Sequence, residues 1–476
     1  MSSTALEEKE TLDDRRSVAE LLDSPRWWTA ATLAERVSQW RRRGSPRRPF
    51  DSARAAARLE RWKTQSAFAN NPGLWEERLA SAGIAEEELL YLLGESADEV
   101  RGDGEVPAWL ETVAAAYGDG GQAAGFAWPP LADPERCPFR PLIEPLVEHF
   151  WSRLEEEARA ILEAYPDAPF SPGIARTVTS HLPDHFASML NRTLLVEMHI
   201  LKLEEELKGD TPEERFRDFL ERLRSKQYAL EILERFPVLA RQIVLRLEQW
   251  MNACAELFRR LASDAEALSW RFHGGRPLGQ LVEVQGALSD PHRDGRSVFV
   301  LVFDSGFQIV YKPKTLALEV VFQDLLRWLN ARGFEPALRP IELLDRGHYG
   351  WMEMVHAAPC PDEAALRRFL ERQGGYLALL YVLDGTDFHH ENLFAAGEHP
   401  MLIDLETLFQ PWLSTQDLQD VENTPGAPVG RTVLRANMLP ERWWGDRTTP
   451  GVDLSGFTGQ EGQMTPRPML ATADGG

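Results

Sequence analysis

Residues 384–406 read DGTDFHHENLFAAGEHPMLIDLE, a stretch that gathers acids, histidines and an asparagine and ends on an apolar run closed by Asp404. Four residues separate the acid Asp387 from the amide Asn392. Phosphoryl-transfer loops use this spacing to place a base for the attacking hydroxyl and an amide ligand for magnesium. Asp404 follows Asn392 by twelve residues, where such a site carries its second metal-holding acid. The pattern predicts a short hairpin: NLFAA, a turn at GEHP, then MLID. Phosphoryl transfer needs this arrangement because its catalysis is mainly positioning and neutralisation of charge. His389, His390 and His399 offer zinc as a competing reading. His389 and His390 are adjacent and diverge on any regular element, there is no HExxH, and no cysteine lies in the stretch, so magnesium and phosphate fit better.

The residues upstream fall into the matching order. SVFVLVFDSGFQIVYKPK (297–314) contains two β-rich runs around Asp304-Ser305-Gly306 and predicts a hairpin. Lys312, on the second run and just before a helix, is placed to hold nucleotide phosphates, with Lys314 as a second candidate. The helix predicted over 316–334 offers Glu319 and Asp324 as partners for that lysine, and the sequence does not choose between them. A strand in GHYGWMEMVHA (347–357) and a long helix over 362–385 then lead into the acid loop. One decoy is set aside. HRD occurs at 292–294, but the residue five after Asp294 is Phe299, not Asn. SDPHRDGRS (289–297) reads either as an ordinary polar turn or as a loop whose Gly295 lets backbone amides approach an anion.

Before residue 280 the chain reads as helical. LLDSPRWWTAATLAERVSQWRRR and GLWEERLASAGIAEEELLYLLGE repeat apolar residues at three- and four-residue intervals. Breaks at YGDGGQAAG and WPPLADPERCP mark a boundary. Thr211, Pro212 and Glu214 carry the signature of a capped helix start. The expected organisation of the 476 residues is a helical region 1–135, a second helical part 136–265, and a sheet-containing core 266–360 followed by 361–476, an α+β class. A net charge of −22 argues against a nucleic-acid partner. The basic run RRRGSPRRP (41–49) reads as a solvated loop or a docking patch for an acidic partner. No stretch reaches the roughly 18 uncharged apolar residues of a membrane span. Cys137, Cys254 and Cys360 form no paired motif, which points to a reducing, cytoplasmic setting rather than a disulfide framework.

DFHHENLF…MLIDLETLF, VYKPK and DPHRDGRSV together resemble the dehydratase domain of class II lanthipeptide synthetases, the LanM type. The resemblance extends more weakly through LLDSPRWW and ERLASAGI. It implies a lipid-kinase-like bilobal core that uses ATP and magnesium to phosphorylate Ser and Thr of a leader-bearing precursor peptide, then eliminates phosphate to leave dehydroalanine or dehydrobutyrine. Carried over residue by residue, it gives phosphorylation roles to Asp290, His292, Lys312, Asp387, His389, Asn392 and Asp404, with Glu406 in support. Asp290 and His292 gain a role from the resemblance alone. The family's elimination residues and its zinc cyclase find no counterpart here, so the resemblance implies a truncated dehydratase with an incomplete C-lobe. It also leaves room for peripheral association with an exporter. Two other readings are a small-molecule kinase of the aminoglycoside or choline type, which shares D-x-H-x-x-N, and a peptide-binding fragment without turnover.

Overall fold

The structure is a computed structural model that describes residues 16–43, 50–102, 105–118, 137–179, 182–286, 295–409, 432–440, 442–443, 452–453 and 455–457. It divides into two compact units, residues 1–263 with 291–296, and 264–290 with 297–476. The described residues combine helices with antiparallel sheet, the α+β class that the alternation of patterns predicted.

The first unit is helical. Its longest helices are Glu144–Ala164, Leu182–Leu203 and the start of Pro237–Phe272. In the last of these Ala240, Ile243, Val244, Leu247, Cys254, Leu257, Phe258 and Leu261 are buried, the three-and-four spacing of one apolar stripe. The helix Pro212–Leu223 begins as its sequence requires. The Thr211 side chain accepts from Glu214 N, and the Glu214 carboxylate accepts in return from Thr211 N. Buried acids in this unit are matched by donors. Glu234 accepts from Ser24 Oγ at 2.5 Å and from both terminal nitrogens of Arg16 at 3.0 and 3.1 Å.

The second unit is built on a five-stranded antiparallel sheet in the order β1-β2-β3-β5-β4: β1 Leu281–Gln285, β2 Phe299–Phe303, β3 Gln308–Lys312, β4 Leu343–Asp345 and β5 Gly350–Glu353. The β2–β3 hairpin turns at the predicted residues, with Gly306 at φ +81°, a conformation that costs glycine little. β1 and β4 are additional strands, and each pairs with a neighbour that the sequence had made legible. Helix Ala317–Ala331 follows β3, and Gly350 shows how closely the chain packs there: a Cβ on it would stand 2.4 Å from Leu316 Cδ1.

A second core gathers Phe322 and Leu326 of that helix, Tyr376 and Leu380 of helix Glu363–Val382, and Phe388, Leu405, Leu408 and Met438. The hairpin of β6 Leu393–Ala396 and β7 His399–Leu402 forms with Leu393 opposite Leu402 and Ala396 opposite His399. Met401 of β7 is buried among Val310, Leu316 and Met352, which sets the hairpin against the sheet's core. Two shorter strands, β8 Arg442–Trp443 and β9 Val452–Asp453, also pair.

Candidate active site: an acid loop and two lysines

The loop before β6 is fixed from several directions. Phe388, fully buried, sits between Asp387 and His389 in sequence and anchors the loop in the second core. Its N–H donates to Ala436 O at 2.9 Å, Thr386 N donates to Thr407 O at 3.3 Å, and Thr407 Oγ1 returns a bond to Thr386 O. Arg435 pairs with Asp384 at 3.1 Å. Within this frame Asp384 and Asp387 take left-handed backbone conformations, φ +50° and +66°. For residues with a Cβ that geometry is strained, and surrounding contacts must hold it.

The polar side chains of the loop are connected. Asn392 Nδ2 donates to Asp387 O at 2.8 Å, which leaves the amide oxygen to accept or ligate. His389 Nδ1 accepts from Glu391 N at 3.2 Å, which puts the ring proton of a neutral imidazole on Nε2. That nitrogen faces Asp387 Oδ1 at 3.6 Å. The Asp387 carboxylate is about half exposed, accessible to a hydroxyl from outside. The hairpin then brings Asn392 and Asp404 together: Ile403 N donates to Asn392 O at 3.2 Å, one residue before the acid.

The two lysines do different work. Lys312, the last residue of β3, is 4% exposed, and its Nζ donates to Ile403 O at 2.5 Å. Burial lowers its pKa, against the pull of Asp404 and Glu319. Lys314, past the strand end and a third exposed, reaches the acids: Nζ lies 3.0 Å from Asp404 Oδ1 and 2.7 Å from Glu406 Oε2. Burial works against this ammonium too, but Asp404 and Glu406 outweigh it and raise its pKa.

Of the two helix acids, Glu319 faces this cluster and Asp324 does not. Asp324 is exposed and pairs with Arg327 at 2.9 Å. Glu319 is 4% exposed, lies 4.0 Å from Lys314 Nζ, and its Oε1 has no hydrogen-bond partner. Burial raises its pKa, with Lys312 and Lys314 opposing. The signal was in the periodicity, since Glu319, Phe322, Gln323 and Leu326 share the buried face of the helix.

Lys312, Lys314, Asp387, His389, Asn392, Asp404 and Glu406 thus all belong to one connected region of the second unit. Asp290 and His292 lie outside the described residues. Among the described residues, no group of three or more His, Cys, Asp or Glu side chains is placed to hold a metal unaided. The hard oxygens of Asn392, Asp404 and Glu406 suit magnesium, which takes few protein ligands and fills its shell with water and phosphate oxygens. No helix among the described residues is long and apolar enough to cross a membrane.

Residues 236–476 match the family model described as "Domain of unknown function (DUF4135)", and the chain belongs to that family. That half of the chain includes the sheet, the acid loop and both lysines. Over 279 residues, 55% of its length, the chain is also 25% identical to the lacticin 481/lactococcin biosynthesis protein LcnDR2 of Lactococcus lactis subsp. lactis. The match covers 29% of that relative, so the chain spans less than a third of its length.

Proposed function

We propose that this chain phosphorylates Ser and Thr side chains of a precursor peptide, using ATP and magnesium, as the first half of dehydration in lanthipeptide biosynthesis. The carrying observation is the junction at Ile403. There one backbone unit ties Asn392 through its N–H, ties Lys312 through its carbonyl, and delivers Asp404 to Lys314. Similarity to a lacticin 481 biosynthesis protein supplies the peptide class. The sheet, the helix with its buried Glu319 and the acid loop follow the order of a lipid-kinase-like core, which is part of this reading.

In this mechanism Asp387 orients the attacking hydroxyl and accepts its proton while the Ser or Thr oxygen bonds to the γ-phosphorus and the bond to ADP breaks. His389 Nε2, 3.6 Å from Asp387 Oδ1, would close onto that carboxylate and steady it as the site fills. Asn392 Oδ1 and Asp404, with Glu406 in support, would hold magnesium, which supplies charge neutralisation on the phosphates. Lys312 keeps β3 and the Asp404 segment in register and contributes positive potential to the donor phosphates. Phosphate is a far better leaving group than hydroxide, so the phosphopeptide is ready for removal of its α-proton and loss of phosphate.

The test is mass spectrometry of a Cys-, Ser- and Thr-rich peptide encoded beside this chain's gene, after incubation with the chain, ATP and magnesium. The expected result is gain of phosphate, reduced at least about a hundredfold in rate by Asp387→Asn and abolished by Asp404→Ala. An unmodified peptide with a folded chain sinks the kinase reading and leaves peptide binding without turnover. Phosphorylation of aminoglycosides or choline in place of the peptide turns it to a small-molecule kinase.

A further inference from the structure

Lys314 occupies the two acids that the reading above gives to a divalent cation, and it has a second place to go. Magnesium bound by carboxylate oxygens sits at about 2.0–2.1 Å from them. An ammonium 3.0 Å from Asp404 Oδ1 and 2.7 Å from Glu406 Oε2 therefore competes for the same lone pairs and the same space. On its other side, 4.0 Å from Nζ, is Glu319 Oε1, buried and without a donor. A carboxylate oxygen taken from water and left unbonded is costly, so such an atom calls for a use. Lysine carries three rotatable donors on a flexible four-carbon stem, and a movement of about 1 Å turns that separation into a hydrogen bond. Lys312 is not free to do this, because its Nζ is committed to Ile403 O.

We propose that Lys314 is a displaceable counter-ion of the metal site and that Glu319 is its second berth. A divalent cation arriving at Asp404 and Glu406 drives the ammonium onto Glu319, where it no longer opposes the metal. Glu319, Asp404 and Glu406 face two ammonium groups, so the cluster accommodates a further cation once Lys314 has moved. Both residues act as positioning residues for the site. The inference rests on Asp404 being a metal ligand, and the experiment separates the two ideas.

The probe is manganese, titrated into the full chain without nucleotide and followed by the electron paramagnetic resonance signal of the free ion. Thermal unfolding of each variant reports its fold. Lys314→Met removes the competitor, so binding tightens by about tenfold, the size of one charge-assisted hydrogen bond that the metal no longer has to break. Glu319→Gln removes the berth and weakens binding by a similar factor. Loss of the Glu319 charge would weaken any nearby metal somewhat. The deciding comparison is therefore the double variant Lys314→Met/Glu319→Gln, in which the Glu319→Gln effect shrinks to that residual loss of charge because no displaced Lys314 ammonium remains to be received. Asp404→Asn abolishes binding in every background. If Lys314→Met binds no tighter than wild type, or the Glu319→Gln effect persists undiminished in the double variant, the displacement idea is overturned while the metal site stands. If Asp404→Asn leaves binding unchanged, the metal site falls and the inference with it. Should Lys314→Met fail to fold, tighter or unchanged binding by folded Glu319→Gln is enough to overturn the proposal.

Discussion

Asp264 and Glu319 are both buried acids of the second unit, 3% and 4% exposed, and the fold treats them in opposite ways. Asp264 pairs with Arg346 at 2.9 Å and accepts from Tyr349 OH at 2.9 Å and Trp351 Nε1 at 2.8 Å. Glu319 leaves Oε1 without a donor, within 4.0 Å of an ammonium that is bound elsewhere. In the helical unit Glu234 repeats the first treatment, saturated by Ser24, Arg16 and Arg26. Saturated charge fixes one arrangement of its neighbours, and unsaturated charge leaves two arrangements close in energy. That difference is what makes the Lys314 cluster the place to look for function and Asp264 a place to look for stability.

The two acids are expected to differ most in what their removal costs the fold. Asp264→Ala leaves Arg346 and two aromatic donors without their acceptor and is expected to cost about 3–5 kcal/mol. Glu319→Gln keeps the shape, removes a buried charge that has only partial compensation, and is expected to stay within about 1 kcal/mol of wild type. Urea unfolding followed by tryptophan fluorescence measures both. An equal cost for the two substitutions would mean that Glu319 is as structural as Asp264.

The same contrast explains what was legible in the sequence. The Asp387-to-Asn392 spacing, both hairpins and the Thr211 cap involve neighbours a few residues away, and local spacing carries them, whereas the seating of the acid loop on Thr407 and Ala436 is not local. The partner of each lysine depends on contacts across about ninety positions, from β3 to Ile403 and Asp404. The motif placed both lysines near the acids without showing that Lys312 binds a carbonyl and Lys314 the carboxylates. Glu319 and Asp324 were equal by composition and separate only when the buried face of their helix is traced. β1 and β4 are edge strands of the five-stranded sheet, and β4 is only Leu343–Asp345, too short to show an alternating pattern. Phe388 looks like any apolar residue between polar ones, yet its burial is what seats Asp387.

A smaller effect is expected at the protein surface, where contacts are equally complete but solvent competes. Thr211→Ala removes the acceptor for Glu214 N and is expected to cost about 1 kcal/mol. Thr211→Ser restores the oxygen and with it most of the stability. If alanine and serine unfold at the same temperature, the capping bond contributes nothing measurable.

The smallest expected effect belongs to the pair Glu35–Arg241, geometrically as complete as Asp264 but wetter. Both guanidinium nitrogens Nη1 and Nη2 reach the carboxylate at 2.7 Å, and Thr32 N donates to it as well. The bonds from Arg241, with burial opposing, lower the Glu35 pKa from 4.5 to about 2. Because the folded value lies below the unfolded one, the stabilisation is present above about 4.5 and is lost as pH falls toward about 2. The Glu35 side chain is 44% exposed, so solvent screening limits the contribution at neutral pH to about 1 kcal/mol or less. Glu35→Gln should therefore melt below wild type near neutral pH, with the gap narrowing as pH falls from about 5 toward about 3. Added salt should narrow it at neutral pH as well. A gap that ignores both pH and salt would assign the contact to packing of the Arg241 stem. Completeness of hydrogen bonding would then say nothing about charge at the surface, and burial alone would separate Asp264 from the rest.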